Sequence, residues 1–185
     1  GTPDAGAFWR VIAQHGVKAM FTAPTALRAI RKVDPDAEFL AKYDTSSMTT
    51  LFAAGERLDP ATYDWASEIL GRPVVDHWWQ TETGWAIVGD PAGIELLPIK
   101  PGSPTRPMPG WDVRILDPSG RQMPAGEDGA IAIRLPLPPG SLPTLWNDDE
   151  GYKKAYWEKI PGLYFAGDVA RKDEDGYFWY VGRTD

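Results

Sequence analysis

The chain has 185 residues, 43% hydrophobic and 24% charged, with a net charge of −7. That length allows one domain or two small subdomains with a real core. The acidic balance, without a basic tract, argues against nucleic acid and anionic membrane surfaces as partners; no apolar run approaches the roughly 20 residues of a membrane span, and the lack of cysteine excludes disulfides, thiolate zinc sites and a cysteine nucleophile.

Thr2-Pro3-Asp4 reads as a helix start, and Ala7, Phe8, Val11 and Ile12 form its apolar stripe up to Gly16. Val17 to Phe21 reads as a short buried strand. Pro24 opens a helix over Thr25 to Lys32, with proline at its start, and a third short helix is expected over Ala37 to Lys42. Thr49 to Ala54 is a strand running into Gly55. Asp59-Pro60 caps a helix over Ala61 to Leu70, closed by Gly71-Arg72-Pro73. Strand Val74-Val75 follows. This alternation predicts a helix-covered, mostly parallel sheet.

Near residue 95 the composition changes to a run of Pro98, Pro101, Gly102, Pro104, Pro107, Pro109 and Gly110. Strands are expected over Trp111 to Leu116 and Gly129 to Leu135, separated by the turn Asp117-Pro118-Ser119-Gly120. A helix starts at Asn147-Asp148-Asp149-Glu150, and a hairpin around Asp173-Glu174-Asp175-Gly176 joins Leu163–Arg171 to Tyr177–Val181. The fold class is therefore α/β, with an α/β part over 1–95 and a β-rich, small barrel-like or curled-sheet part over 96–185. The chain begins at Gly1 without Met and stops at Asp185 directly after a strand-like run, so the expectation is a piece of a longer protein.

The densest chemistry lies in Asp76-His77-Trp78-Trp79-Gln80-Thr81-Glu82-Thr83-Gly84. The tryptophans can wall an apolar slot, Thr81 and Thr83 can donate to phosphate oxygens, and Glu82 can hold a hard cation such as Mg²⁺. The familiar phosphate loops, GxxxxGK[ST] and GxGxxG, are absent, as are HExxH and GxSxG.

Blocks at Phe21–Arg28, Ala54-Gly55-Glu56, the tryptophan run, Tyr164-Phe165-Ala166-Gly167-Asp168 and Asp175–Asp185 occur in one order. Together they resemble the AMP-forming acyl-CoA synthetases of the adenylate-forming superfamily, over nearly the whole chain. The double tryptophan and the stretch Leu135–Trp146 resemble the short-chain branch, the propionyl type more than the acetyl type.

The resemblance implies ATP, Mg²⁺ and coenzyme A as cofactors and a small carboxylate as substrate. The acid attacks the α-phosphate, giving an acyl adenylate and pyrophosphate, and coenzyme A then takes the acyl group. It further implies Thr81 as a donor to the α-phosphate and Glu82 as the Mg²⁺ ligand. Gly55, Glu56, Arg57, Asp76, His77, Trp78 and Gln80 belong around the nucleotide. Asp168 accepts from the ribose hydroxyls, the natural pairing for a vicinal diol, and Arg183 donates on the ribose or phosphate side. Trp79 and Ala54 belong to the acyl pocket, and Asp185 to a hinge for domain rotation. Acetyl-specific relatives usually carry valine at Ala54, so the smaller side chain is expected to admit one more carbon, worth roughly 1–3 kcal/mol in discrimination.

A phosphate-cradling Ser/Thr loop and a catalytic lysine, expected of the family, are not in this chain. It is therefore expected to be inactive alone and to work with the missing N- and C-terminal parts of the same protein, in the cytoplasm or the mitochondrial matrix. The alternatives are an acetyl-CoA synthetase, a non-catalytic nucleotide-binding module of the same fold, and an amino-acid-activating adenylation domain, whose larger substrates Trp79 would obstruct.

Overall fold

A computed structural model describes residues 3–184. The expected helix-start residue Thr2 and the hinge residue Asp185 lie outside them. The chain divides into two compact units. The first runs to His77 and includes Lys100–Gly102; the second holds Trp78–Ile99 and the residues from Ser103 onward. The change of composition near residue 95 does not mark this division.

The first unit is built from α1 (Ala7–His15), β1 (Ala19–Thr22), α2 (Pro24–Val33), β2 (Thr50–Ala53), α3 (Pro60–Leu70) and the start of β3 (Val74–Trp78). Local chemistry sets the ends of α3. The Asp59 carboxylate accepts from the Thr62 N–H at 2.9 Å, Pro60 fits the first turn, and Gly71 closes the helix in the left-handed region. The strands pair in parallel, Met20 beside Leu51 and Leu51 beside Val74. Leu51, Ala53 and Val74 are buried with Trp9, Ile12, Leu27, Ile30 and Leu58, so one face of the sheet meets the helices.

Two expectations need correction here. β1 is not a buried strand, because Phe21 on it is 57% exposed. The helix expected over 37–42 shrinks to one 3₁₀ turn at Leu40–Lys42. Ala37 has φ +56°, outside the helical region, and the buried Asp34 carboxylate takes the N–H groups of Glu38 and Phe39 instead.

In the second unit, short strands β4 (Val88–Gly89) and β5 (Arg106–Pro107) pair antiparallel. Strands β6 (Val113–Leu116), β7 (Gly129–Arg134), β8 (Leu163–Lys172) and β9 (Phe178–Arg183) form an antiparallel meander in chain order. Register shifts at Ala130/Ala132 and Val169/Ala170 bend it. Helix α4 (Asp149–Tyr156) stands between β7 and β8 in the chain, its N-terminus capped by the Asp148 carboxylate. Along β8 burial alternates, so Tyr164, Ala166, Asp168 and Ala170 share the inward face. Tyr164, Ala166 and Ala170 pack with Ile115, Ile131, Ile133 and Phe178 in this unit's core.

Candidate functional site

The tryptophan run is a strand end followed by a tight turn. Asp76, His77 and Trp78 still belong to β3, and Thr81–Thr83 form a 3₁₀ turn ended by Gly84 at φ +66°. A Cβ at Gly84 would stand 2.8 Å from the Gly140 carbonyl oxygen, so only glycine fits without movement. Thr83 is buried; its hydroxyl accepts from the Gln80 N–H at 3.2 Å and lies 2.8 Å from the Gln80 carbonyl. That corrects the reading of Thr83 as a phosphate donor, since its hydroxyl closes the turn from within. Thr81 is exposed, Glu82 and Trp79 are half-buried, and Trp78 packs on the second unit's core.

Gln80 joins this turn to β8. Its Nε2 donates to the Asp168 carboxylate at 2.9 Å and to the Ala166 carbonyl at 2.6 Å, while its Oε1 accepts from the Tyr164 hydroxyl at 3.0 Å. Asp168 is 3% exposed, and its other oxygen accepts from the Tyr180 hydroxyl and from Arg183, each at 3.2 Å. Burial pushes the Asp168 carboxyl above its ordinary range, against the pull of Arg183, Tyr180 and Gln80. Three donors use most of a carboxylate's roughly four acceptor sites. Gly167 has φ +74°, and a Cβ there would meet the Arg183 guanidinium at 3.3 Å. The geometry thus brings together Gln80, Asp168 and Arg183, which the sequence places far apart.

Glu82 is held at both ends. Its Oε1 accepts from the Tyr156 hydroxyl at 2.9 Å, and its carbonyl accepts from the Leu142 N–H at 2.7 Å. Among the described residues no group of three or more His, Cys, Asp or Glu side chains could hold a metal ion. A single carboxylate with one oxygen still open fits Mg²⁺, which commonly takes one or two carboxylates and completes its shell with water and phosphate oxygens.

The first unit holds Ala54, Gly55, Glu56, Arg57, Asp76 and His77 of the expected residues. Ala54 is buried, whereas Gly55, at the end of β2, has φ +99° and open space around its Cβ position, allowing a ligand to approach the backbone closely. The Glu56 carboxylate accepts from the Thr25 N–H at 2.7 Å and from the Thr25 hydroxyl, and it pairs with Arg28 at 2.6 Å. These contacts, the Thr25 hydroxyl foremost, hold its pKa below the usual range. Asp76 pairs across from Ala53. Its burial pushes the carboxyl up to about 7, despite backbone N–H bonds from Leu58 and His77 and the charge of Arg57. His77 is pushed down by desolvation; its Nδ1 is buried without a hydrogen-bond partner among the described residues, and its ring lies 5.4 Å from Phe21 and 5.9 Å from Phe52.

The hydroxyls of Tyr156, Tyr164 and Tyr180 donate to Glu82, Gln80 and Asp168, and the sequence alone singles out none of these three as a partner of the site. Period-two alternation back from Asp168 could have placed Tyr164 on the same face. Nothing local marks Tyr156.

The family model for "AMP-binding enzyme" matches residues 1–138. The chain belongs to this family. It is 46% identical, over its whole length, to the mouse acyl-CoA synthetase short-chain family member 3, mitochondrial, of which it covers 27%. It is 44% identical over 99% of its length to the acetyl-coenzyme A synthetase of Laribacter hongkongensis, covering 28% of that protein. The crystal structure of the anthranilate CoA ligase AuaEII in complex with anthranoyl-AMP superimposes with a TM-score of 0.80 at 25% identity, over 98% of this chain and 32% of that one. The chain spans 27–29% of the length of the curated relatives it matches. Its α/β fold is that of an adenylate-forming enzyme domain, and its homologues include acetyl-CoA synthetases.

Proposed function

We propose that the chain is part of an AMP-forming acyl-CoA ligase that activates a short-chain carboxylate, propionate favoured, with ATP and passes the acyl group to coenzyme A. The observation that carries this reading is the bond between Gln80 and Asp168, with Glu82 two positions further along the same turn. It joins a candidate diol acceptor to a candidate cation ligand through one short turn. The names of the relatives support the reaction class.

Under this reading Asp168 accepts from the ribose hydroxyls, with Arg183, whose side chain is 56% exposed, swinging aside or turning to the phosphates. The exposed Thr81 hydroxyl donates to the α-phosphate. Glu82 would hold Mg²⁺, which when bound neutralises phosphate charge as pyrophosphate leaves. Gly55, with Glu56 and Arg57, offers backbone groups to the adenine. Asp76, His77 and Trp78 complete the nucleotide surroundings, and Ala54 and Trp79 bound the acyl chain. Within residues 1–95 we place the adenine and acyl contacts, and within 96–185 the ribose contacts. Asp185 is assigned to the hinge.

The chain is a fragment of the working enzyme and is inactive alone. No described helix is long and apolar enough to cross a membrane, and we place the enzyme in the cytoplasm or, in a eukaryote, the mitochondrial matrix. The second reading is an acetyl-CoA synthetase, favoured by the identity to such an enzyme; the small buried Ala54 favours propionate.

ATP–pyrophosphate exchange on the full-length protein, with acetate, propionate and butyrate in parallel, tests both. Fastest exchange with propionate is expected. Fastest exchange with acetate would transfer the assignment to the second reading, and no exchange with any of the three would remove the short-chain assignment and leave a binding module or another acid substrate.

A further inference from the structure

We propose that Tyr156 is a positioning residue that fixes the Glu82 carboxylate in the orientation needed to take a divalent cation. The proposal rests on the reading of Glu82 as the Mg²⁺ ligand.

A glutamate on a turn has several rotatable bonds, and a ligand to a cation with strict octahedral geometry must be held before the cation arrives. Here the hold forms a closed circuit. The Tyr156 hydroxyl donates to Glu82 Oε1 at 2.9 Å. The Tyr156 ring stacks flat on Tyr164, with centroids 5.3 Å apart and planes 2° from parallel, and lies 5.6 Å from the Tyr152 ring. Tyr152 is buried, and its hydroxyl donates to the Leu142 carbonyl at 2.6 Å. Leu142 in turn donates its N–H to the Glu82 carbonyl at 2.7 Å. One strap of chain, 142–156, therefore grips Glu82 at its backbone and at its side-chain tip. The stacked partner Tyr164 donates to Gln80, so the two tyrosines hold residues two apart on the same turn.

The chemistry of the grip suits a cation site. A lysine or arginine would fix the carboxylate equally well but would compete for its charge. A phenol donates one hydrogen bond to one oxygen and leaves the negative charge in place. Among the described residues Oε2 accepts no hydrogen bond. A purely structural tyrosine would need only its ring, which the stack already uses; the hydroxyl is the part aimed at Glu82.

The test uses the full-length protein and reads ATP binding by calorimetry across a Mg²⁺ series, alongside exchange rates. Tyr156→Phe keeps the stack and removes the donor. The Mg²⁺ concentration for half-maximal ATP binding should rise about tenfold, the worth of one hydrogen bond to a charged group. The carboxylate KM and the melting temperature should stay close to wild type. Tyr152→Phe, which loosens the strap without touching the carboxylate, should shift the Mg²⁺ midpoint the same way by a smaller factor. It decides the matter if Tyr156→Phe folds poorly. Glu82→Gln is the reference. If Glu82→Gln shifts the Mg²⁺ midpoint and neither tyrosine variant does, the positioning role is overturned and the reading of Glu82 stands. If Glu82→Gln leaves the Mg²⁺ midpoint unchanged, the reading of Glu82 fails and the proposal with it.

Discussion

Asp168 and Glu56 are both carboxylates with an arginine partner, and they show two different uses of charge. Glu56 sits in the open, pairing with Arg28 at 2.6 Å through side chains that are each 38% exposed. Asp168 is buried, and neutral donors from Gln80 and Tyr180 share it with Arg183. Burial drives the Asp168 carboxyl up, while the surface contacts hold Glu56 down. An exposed pair is solvated whether or not it forms and so contributes little. A buried carboxylate with several donors is costly to break, because its partners are left desolvated. Ion-pair distance alone thus ranks the two sites in the wrong order.

Removing the buried member should have the largest effect. Asp168→Ala strands Gln80 and Tyr180 and is expected to cost about 3 kcal/mol in stability. ATP binding should fall by roughly 100-fold or more, as it loses a charged acceptor for the ribose. Thermal melting and nucleotide titration of the full-length protein check both; unchanged values would break the contrast.

Asp76 sharpens the comparison, since its carboxyl is also pushed up, to about 7, by burial. Its ordinary value is 3.8, so the folded state favours the neutral form. The stability this gives is full below pH 4 and is lost as pH rises through about 7. Asp76→Asn should melt near wild type at pH 4 and on the order of 5 °C higher at pH 8. A difference that is constant between the two pH values would remove the buried-acid account.

The smallest effect belongs to the surface. Glu56→Gln should change stability by about 0.5 kcal/mol or less. The change should shrink further in high salt, where screening already weakens the pair. A loss as large as that of Asp168→Ala would erase the distinction between the two sites.

Elements with their own punctuation were readable from sequence. Asp59-Pro60 and Gly71 bracket α3 because capping is local chemistry, and the parallel pairing of β1, β2 and β3 follows from the alternation of strands with helices. The strand after Pro73 reads as Val74-Val75 alone, because the polar Asp76 and His77 disguise its continuation through Trp78. Thr83 looks identical to Thr81 in sequence, and only the geometry of the turn separates a buried hydroxyl from an exposed one. The tyrosines around Gln80 and Glu82 were hidden for a different reason. Their hydroxyls reach across the fold, and no residue near them in sequence records the contact.

The bond from Gln80 to Asp168 spans 88 positions in the chain, and that from Tyr156 to Glu82 spans 74. Closing such long loops carries an entropy cost that local turns avoid. During synthesis the Gln80–Gly84 segment leaves the ribosome well before the tyrosines and the aspartate that shape it. Its final form waits for α4 and β8 to be made and docked, so this turn matures later than the residues of its own segment are made.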